Sequence, residues 1–134
     1  MSSENLDLVR SIYADWERGD FSMGEWADPS IEFERVDGPA PGTWRGKDEI
    51  AAGVREMLSA WDDFRLSADE YREVDDKQVL VLGHMTGRGK RSQVDPAQLG
   101  ATAANLFHVE RGKITRVVTY YDCDRALADL GLEE

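Results

Sequence analysis

A chain of 134 residues with 41% hydrophobic content and four each of Trp, Tyr and Phe can bury one core, so a single domain spanning 1–134 is expected. The net charge of -11 works against nucleic acid and anionic lipid as partners, and charged residues interrupt the apolar ones too often for a membrane span. Cys123, the single cysteine, excludes an internal disulfide and dithiol redox chemistry; with a Met1-Ser2-Ser3-Glu4 start lacking a basic-then-apolar leader, the expected location is cytoplasmic.

Leu6, Val9, Ile12, Tyr13 and Trp16 recur at helical spacing, with Ser3 placed to cap the start and Gly19 to end the segment. Asp20 then caps a predicted short helix holding Phe21 and Trp26, which Pro29 cuts off. Residues 31–36 alternate as a strand, and Asp37 to Gly42, with two prolines and two glycines, reads as an irregular turn. From about Lys47 a further helix carries Ile50, Val54, Met57, Leu58 and Trp61 along one face.

From Phe64 the period changes to two, and 78–85 is rich in Val and Leu. Asp75-Asp76-Lys77 and Glu110-Arg111-Gly112-Lys113 read as hairpin connections, the second joining strands at about 101–109 and 114–122. Asp122 or Asp124 caps a last short helix running to Leu130. Helices gathered early and strands late define an α+β domain.

This order resembles the SnoaL-like, nuclear-transport-factor-2-like proteins, which include ketosteroid isomerases and polyketide cyclases. The fragments that carry the resemblance run from end to end: Ser11-Ile12-Tyr13-Ala14-Asp15-Trp16-Glu17-Arg18-Gly19-Asp20, Ala27-Asp28-Pro29-Ser30-Ile31-Glu32-Phe33-Glu34, Trp44-Arg45-Gly46-Lys47-Asp48-Glu49-Ile50, Val109-Glu110-Arg111-Gly112-Lys113-Ile114 and Tyr120-Tyr121-Asp122. The resemblance implies a cone-shaped, curved antiparallel or mixed sheet wrapped around the N-terminal helices. It also implies a cavity for a small apolar molecule and a homodimer formed through the outer sheet face.

In the isomerases a carboxylate shuttles a proton, and the resemblance puts it at Glu34. Desolvation beside apolar walls would raise its pKa toward neutrality. Strand alternation gives the opposite expectation, because Glu32 and Glu34 lie across from Ile31 and Phe33 and so face solvent. Asn105 falls where the isomerases keep a protonated aspartate; its amide can donate to an oxyanion or simply satisfy irregular backbone. The isomerase tyrosine falls at Ile12, with Tyr13 one residue further on and expected at another azimuth of the helix. Ile12, Trp16, Val54, Leu58, Phe107, Val117, Thr119 and Tyr121 are the expected cavity lining, each also able to serve as ordinary core.

No metal and no cofactor is expected. His84, His108 and Cys123 lack a ligand spacing, Gly83, Gly87 and Gly89 open no phosphate-binding helix, and the basic stretch Gly87-Arg88-Gly89-Lys90-Arg91 reads as a solvated hairpin end. Three functions stay open: cofactor-free isomerase or cyclase chemistry by general acid/base catalysis on an apolar carbonyl compound, non-catalytic binding of an apolar metabolite, or a dimeric interaction module.

Overall fold

The computed structural model describes residues 2–21, 24–36, 42–59, 61–89 and 102–131. Among them, three helices and six strands alternate as α1 (Ser2–Glu17), β1 (Ala27–Arg35), β2 (Gly42–Arg45), α2 (Lys47–Ser59), β3 (Trp61–Asp75), β4 (Gln78–Gly89), β5 (Thr102–Glu110), β6 (Lys113–Tyr120) and α3 (Cys123–Asp129). The strands form one curved, unclosed sheet in the order β2-β1-β6-β5-β4-β3. β1 runs parallel to β6 and the other neighbours are antiparallel, so the sheet is mixed.

The helical spacing of α1 becomes a buried stripe of Val9, Ile12, Tyr13 and Trp16, laid on the concave face against β3 and β4. Asn5 Nδ2 ties the start of α1 to the Asp76 carbonyl in the β3–β4 hairpin at 2.7 Å. Inward residues of the sheet, among them Ile31, Val79, Val81, Phe107, Ile114 and Val117, complete this core. The outward residues Leu80, Ala104, Leu106, Val118 and Tyr120 form a second, smaller one under Ala126 and Leu127 of α3. Asp122, not Asp124, caps α3: its carboxylate accepts from the Arg125 N–H.

One hairpin and one glycine within a strand set the register. Arg111 and Gly112 both take positive φ, 53° and 76°, and this two-residue loop matches the twist of β5 and β6 on either side. At Gly83 of β4 a Cβ would stand 2.1 Å from the Ser67 carbonyl oxygen, so only glycine lets β3 cross there, next to its register shift at Ala68 to Glu70.

The sequence expectations need correction at Trp61, which opens β3 instead of continuing the face of α2, and between residues 20 and 45. The predicted short helix is not formed: among the described residues of this stretch, 25–26 make a turn and β1 already begins at Ala27. Pro29 lies inside β1, where the pairing with β6 jumps from Ala27↔Ile114 to Glu32↔Arg116 and no ladder N–H is required. β2 was not anticipated; its four residues, wedged before Gly46, are too few to show a period. Of the predicted turn at 37–42, residues 37–41 lie outside the described residues and Gly42 begins β2; Lys90 and Arg91 also lie outside them, while Arg88 belongs to β4.

Candidate functional site

Alternation along β1 and β6 decides what faces inward. Ile31, Phe33 and Arg35 share a face with Val117 and Thr119, and the register pairs Phe33 with Val117 and Arg35 with Thr119. β5 continues the second row, since Thr119 pairs with Asn105. Arg35, Thr119 and Asn105 are therefore consecutive members of one row across three strands, each step about 5 Å. They border a cavity of about 80 Å³, room for several waters or one small ring. Trp16 of α1, Phe21 after it, Trp26 before β1, Ile50 and Val54 of α2 and Leu66 of β3 supply its apolar walls, with Ala103 and Tyr121 on the same side of the sheet.

The polar end of this cavity is a buried three-residue chain. Asn105 Nδ2 donates to Tyr13 Oη at 2.7 Å, and Thr119 Oγ1 donates to Asn105 Oδ1 at 2.5 Å. Asn105 is 2% exposed, and burial raises the Tyr13 phenol far above its ordinary value, so it stays protonated. Tyr13 had been expected on another azimuth. The inward stripe of α1 is wide enough to hold both Ile12 and Tyr13, and the tyrosine at 13 reaches across to the amide. Its ring is fixed edge-on to Phe107 and Tyr71, with centroids 6.0 and 6.1 Å away.

Glu34 is not on the cavity. It points from the opposite face of β1 and pairs with Arg116, its side chain one-third exposed. The cause is the period of two: Phe33 and Arg35 take the inward positions and leave Glu34 outside. Among the remaining expected lining residues, Trp16, Val54, Val117, Thr119 and Tyr121 border the cavity. Ile12 and Phe107 do not; both are packed in the closed part of the core, Phe107 against Tyr13 and Trp16. The Leu58 side chain lies outside the described residues.

Arg35 went unnoticed in the sequence reading, although a charge continuing the inward series Ile31, Phe33, Arg35 is the kind of signal that marks a site. Its guanidinium stands over the Trp44 ring at 4.8 Å and the Phe33 ring at 5.7 Å. Trp44 is pressed against α2, where a Cβ on Gly53 would come within 3.0 Å of its indole nitrogen. His84 is hydrogen-bonded to Asp69 at 3.1 Å. Burial and then Arg116 lower the His108 pKa, and burial raises the half-buried Cys123 thiol. Among the described residues none of these three borders the cavity, no cluster of His, Cys, Asp and Glu could hold a metal, and no helix is long and apolar enough to cross a membrane.

An open, curved mixed sheet closed over by helices, with a polar set at the floor of an apolar cavity, defines the cone-shaped pocket class of α+β domain. Residues 9–117 match the SnoaL-like domain family. The chain belongs to that family, and its fold is the nuclear-transport-factor-2-like one. Among solved structures, a nuclear-transport-factor-2-like protein of unknown function from Burkholderia pseudomallei K96243 is 20% identical, with 93% of this chain and 95% of that one aligned at a TM-score of 0.74. TerC co-crystallised with polyporic acid is 18% identical, covering 96% and 98% at 0.72. A candidate polyketide cyclase from Sinorhizobium meliloti is 22% identical, covering 84% and 93% at 0.62. Among curated proteins no significant match is found.

Proposed function

We propose that the chain binds a small, mainly apolar molecule whose oxygen atom is held by Asn105 and Thr119. The observation that carries this reading is the Tyr13–Asn105–Thr119 set at the cavity floor. Asn105 gives one N–H to Tyr13 and has a second; Thr119 gives its proton to Asn105 and keeps oxygen lone pairs. A buried polar group left to face an apolar wall costs about 1–3 kcal/mol, so these groups favour a ligand that answers them. Tyr13 fixes which way the amide points.

A second reading, cofactor-free isomerase or cyclase chemistry on an apolar carbonyl compound, is favoured by the same amide and neutral phenol, since donors so placed stabilise a developing oxyanion. Against it, the described residues bordering the cavity include no carboxylate or imidazole to move the proton. Binding is therefore the leading assignment.

Trp16 and Trp26 border the cavity, so their emission reports occupancy. Acetophenone and ethylbenzene differ chiefly in one carbonyl oxygen. Both should perturb the emission saturably, and Asn105→Leu should weaken acetophenone about threefold to tenfold, the worth of one hydrogen bond, while sparing ethylbenzene. Thr119→Val serves as a second variant if Asn105→Leu unfolds. The assignment fails if no probe saturates, or if neither variant distinguishes the two compounds. Faster exchange of the acetophenone methyl protons with D₂O in the presence of the chain would move the assignment to the second reading.

A further inference from the structure

Hydrogen bonding within the cavity floor decides what is left for a ligand. Asn105 gives one N–H to Tyr13 Oη, and its Oδ1 takes the Thr119 hydroxyl proton. Tyr13 does not itself border the cavity, whereas Asn105 and Thr119 do. This pair therefore keeps one kind of donor, the second amide N–H, and one kind of acceptor, the Thr119 hydroxyl oxygen. The two sit side by side, because β5 and β6 pair Asn105 with Thr119 in register. We infer that the ligand's anchoring group is a hydroxyl, which accepts from Asn105 and donates to Thr119, so that the ligand class is a small apolar alcohol or phenol and not a ketone. The inference rests on the binding reading above and adds the identity of the ligand oxygen to it.

A carbonyl oxygen only accepts. Seated on the Asn105 N–H, it would bring its lone pairs against those of Thr119 with no proton between them, and the Thr119 oxygen would stay unanswered in a buried place. A hydroxyl makes both bonds through a single atom, which suits a border whose other described residues are mostly apolar. A carboxamide also donates and accepts, but it brings a further N–H, and each polar group moved into such a place needs its own partner. The rings of Trp16 and Phe21, stacked at 6.0 Å, and those of Trp26 and Phe33 receive the apolar body, and a volume of about 80 Å³ limits that body to one ring. Arg35, over the Trp44 and Phe33 rings, is engaged within the chain and is not asked to hold the ligand.

1-Phenylethanol and acetophenone share the carbon skeleton of ethylbenzene and differ from each other in the oxygen, hydroxyl against carbonyl. Titrated against tryptophan emission at pH 7, the better-bound enantiomer of 1-phenylethanol should bind the native chain about threefold to tenfold more tightly than acetophenone, through one further hydrogen bond. Thr119→Val, which puts a methyl group where the acceptor stood, should bring the alcohol down to the ketone, and Thr119→Ser should keep the difference. If thermal melting shows that Thr119→Val does not fold, Thr119→Cys, whose sulfur is a poor acceptor, carries the same expectation. Acetophenone binding the native chain as tightly as the alcohol, or an advantage of the alcohol that survives in the folded Val or Cys variant, would overturn the proposal while leaving the binding assignment standing. If 1-phenylethanol, acetophenone and ethylbenzene all fail to perturb the emission saturably, the binding assignment falls, and this proposal with it.

Discussion

The neighbouring strands β1 and β6 carry polar groups on both faces, and the two sets are built differently. Outside, Glu34 meets Arg116 as an ion pair, both partly exposed. Inside, beside Arg35 of β1, Thr119 of β6 is linked to Asn105 of β5 and through it to Tyr13 of α1, and these three are uncharged and buried. Water reaches both outer side chains in part, so their pairing contributes little. The inner groups have given up water and depend wholly on their partners, or on a ligand, for hydrogen bonds. A carboxylate on the right strand is therefore weaker evidence for a site than an amide on the right face.

The contrast breaks most visibly on the inner side. Phe107→Ala should destabilise the chain by about 3–5 kcal/mol, read as a shift in the urea midpoint at unchanged slope, because the ring fills the contact between Tyr13 and Trp16. A loss below about 1 kcal/mol would mean that the closed end of the core is looser than described.

The next effect is a pH dependence. Tyr13 has a raised pKa in the folded chain, so its contribution is fully present below the ordinary phenol value of 10 and declines as the pH rises above that value, where the unfolded chain ionises first. The slope approaches about 1.4 kcal/mol per pH unit. Tyr13→Phe should remove that part of the alkaline decline. Urea unfolding of native and variant chains between pH 9 and 11 compares the slopes, and parallel curves would contradict the burial of this phenol.

The smallest effect belongs to the outer face. Glu34→Gln should change stability by no more than about 1 kcal/mol, measured by thermal melting, and leave acetophenone binding unaltered. A clear loss of binding would restore Glu34 to the site and erase the distinction between the faces.

Long periodic segments were legible in the sequence: α1 and α2 from their apolar stripes, β4 to β6 from alternation and hairpin chemistry. The strand from Ile31 was legible as well, but residues 20–30 before it and the short β2 were not. Phe21, Trp26 and Pro29 suggest a capped helix when only local spacing is read, but the β1–β6 pairing, between segments far apart in the chain, imposes extended structure and absorbs the proline at a register shift. The site followed the same division. Asn105 and Thr119 came from the resemblance, whereas Tyr13 was set aside for one residue's rotation, a difference that a broad helical stripe tolerates. Glu34 showed the reverse: simple alternation placed it correctly, against the expectation drawn from relatives. Arg35 needed the actual register, because nothing in its neighbourhood says that the residue beside it will be Thr119.

The parallel β1–β6 pair also bears on when a site can exist. Arg35 and Thr119 come from early and late in the chain, and the row from guanidinium to amide is complete only when those distant segments have met. Closing so long a loop is a costly, late event in folding. Ligand affinity should therefore vanish together with global unfolding rather than persist in any partly folded form, which makes occupancy of the cavity a measure of the finished fold.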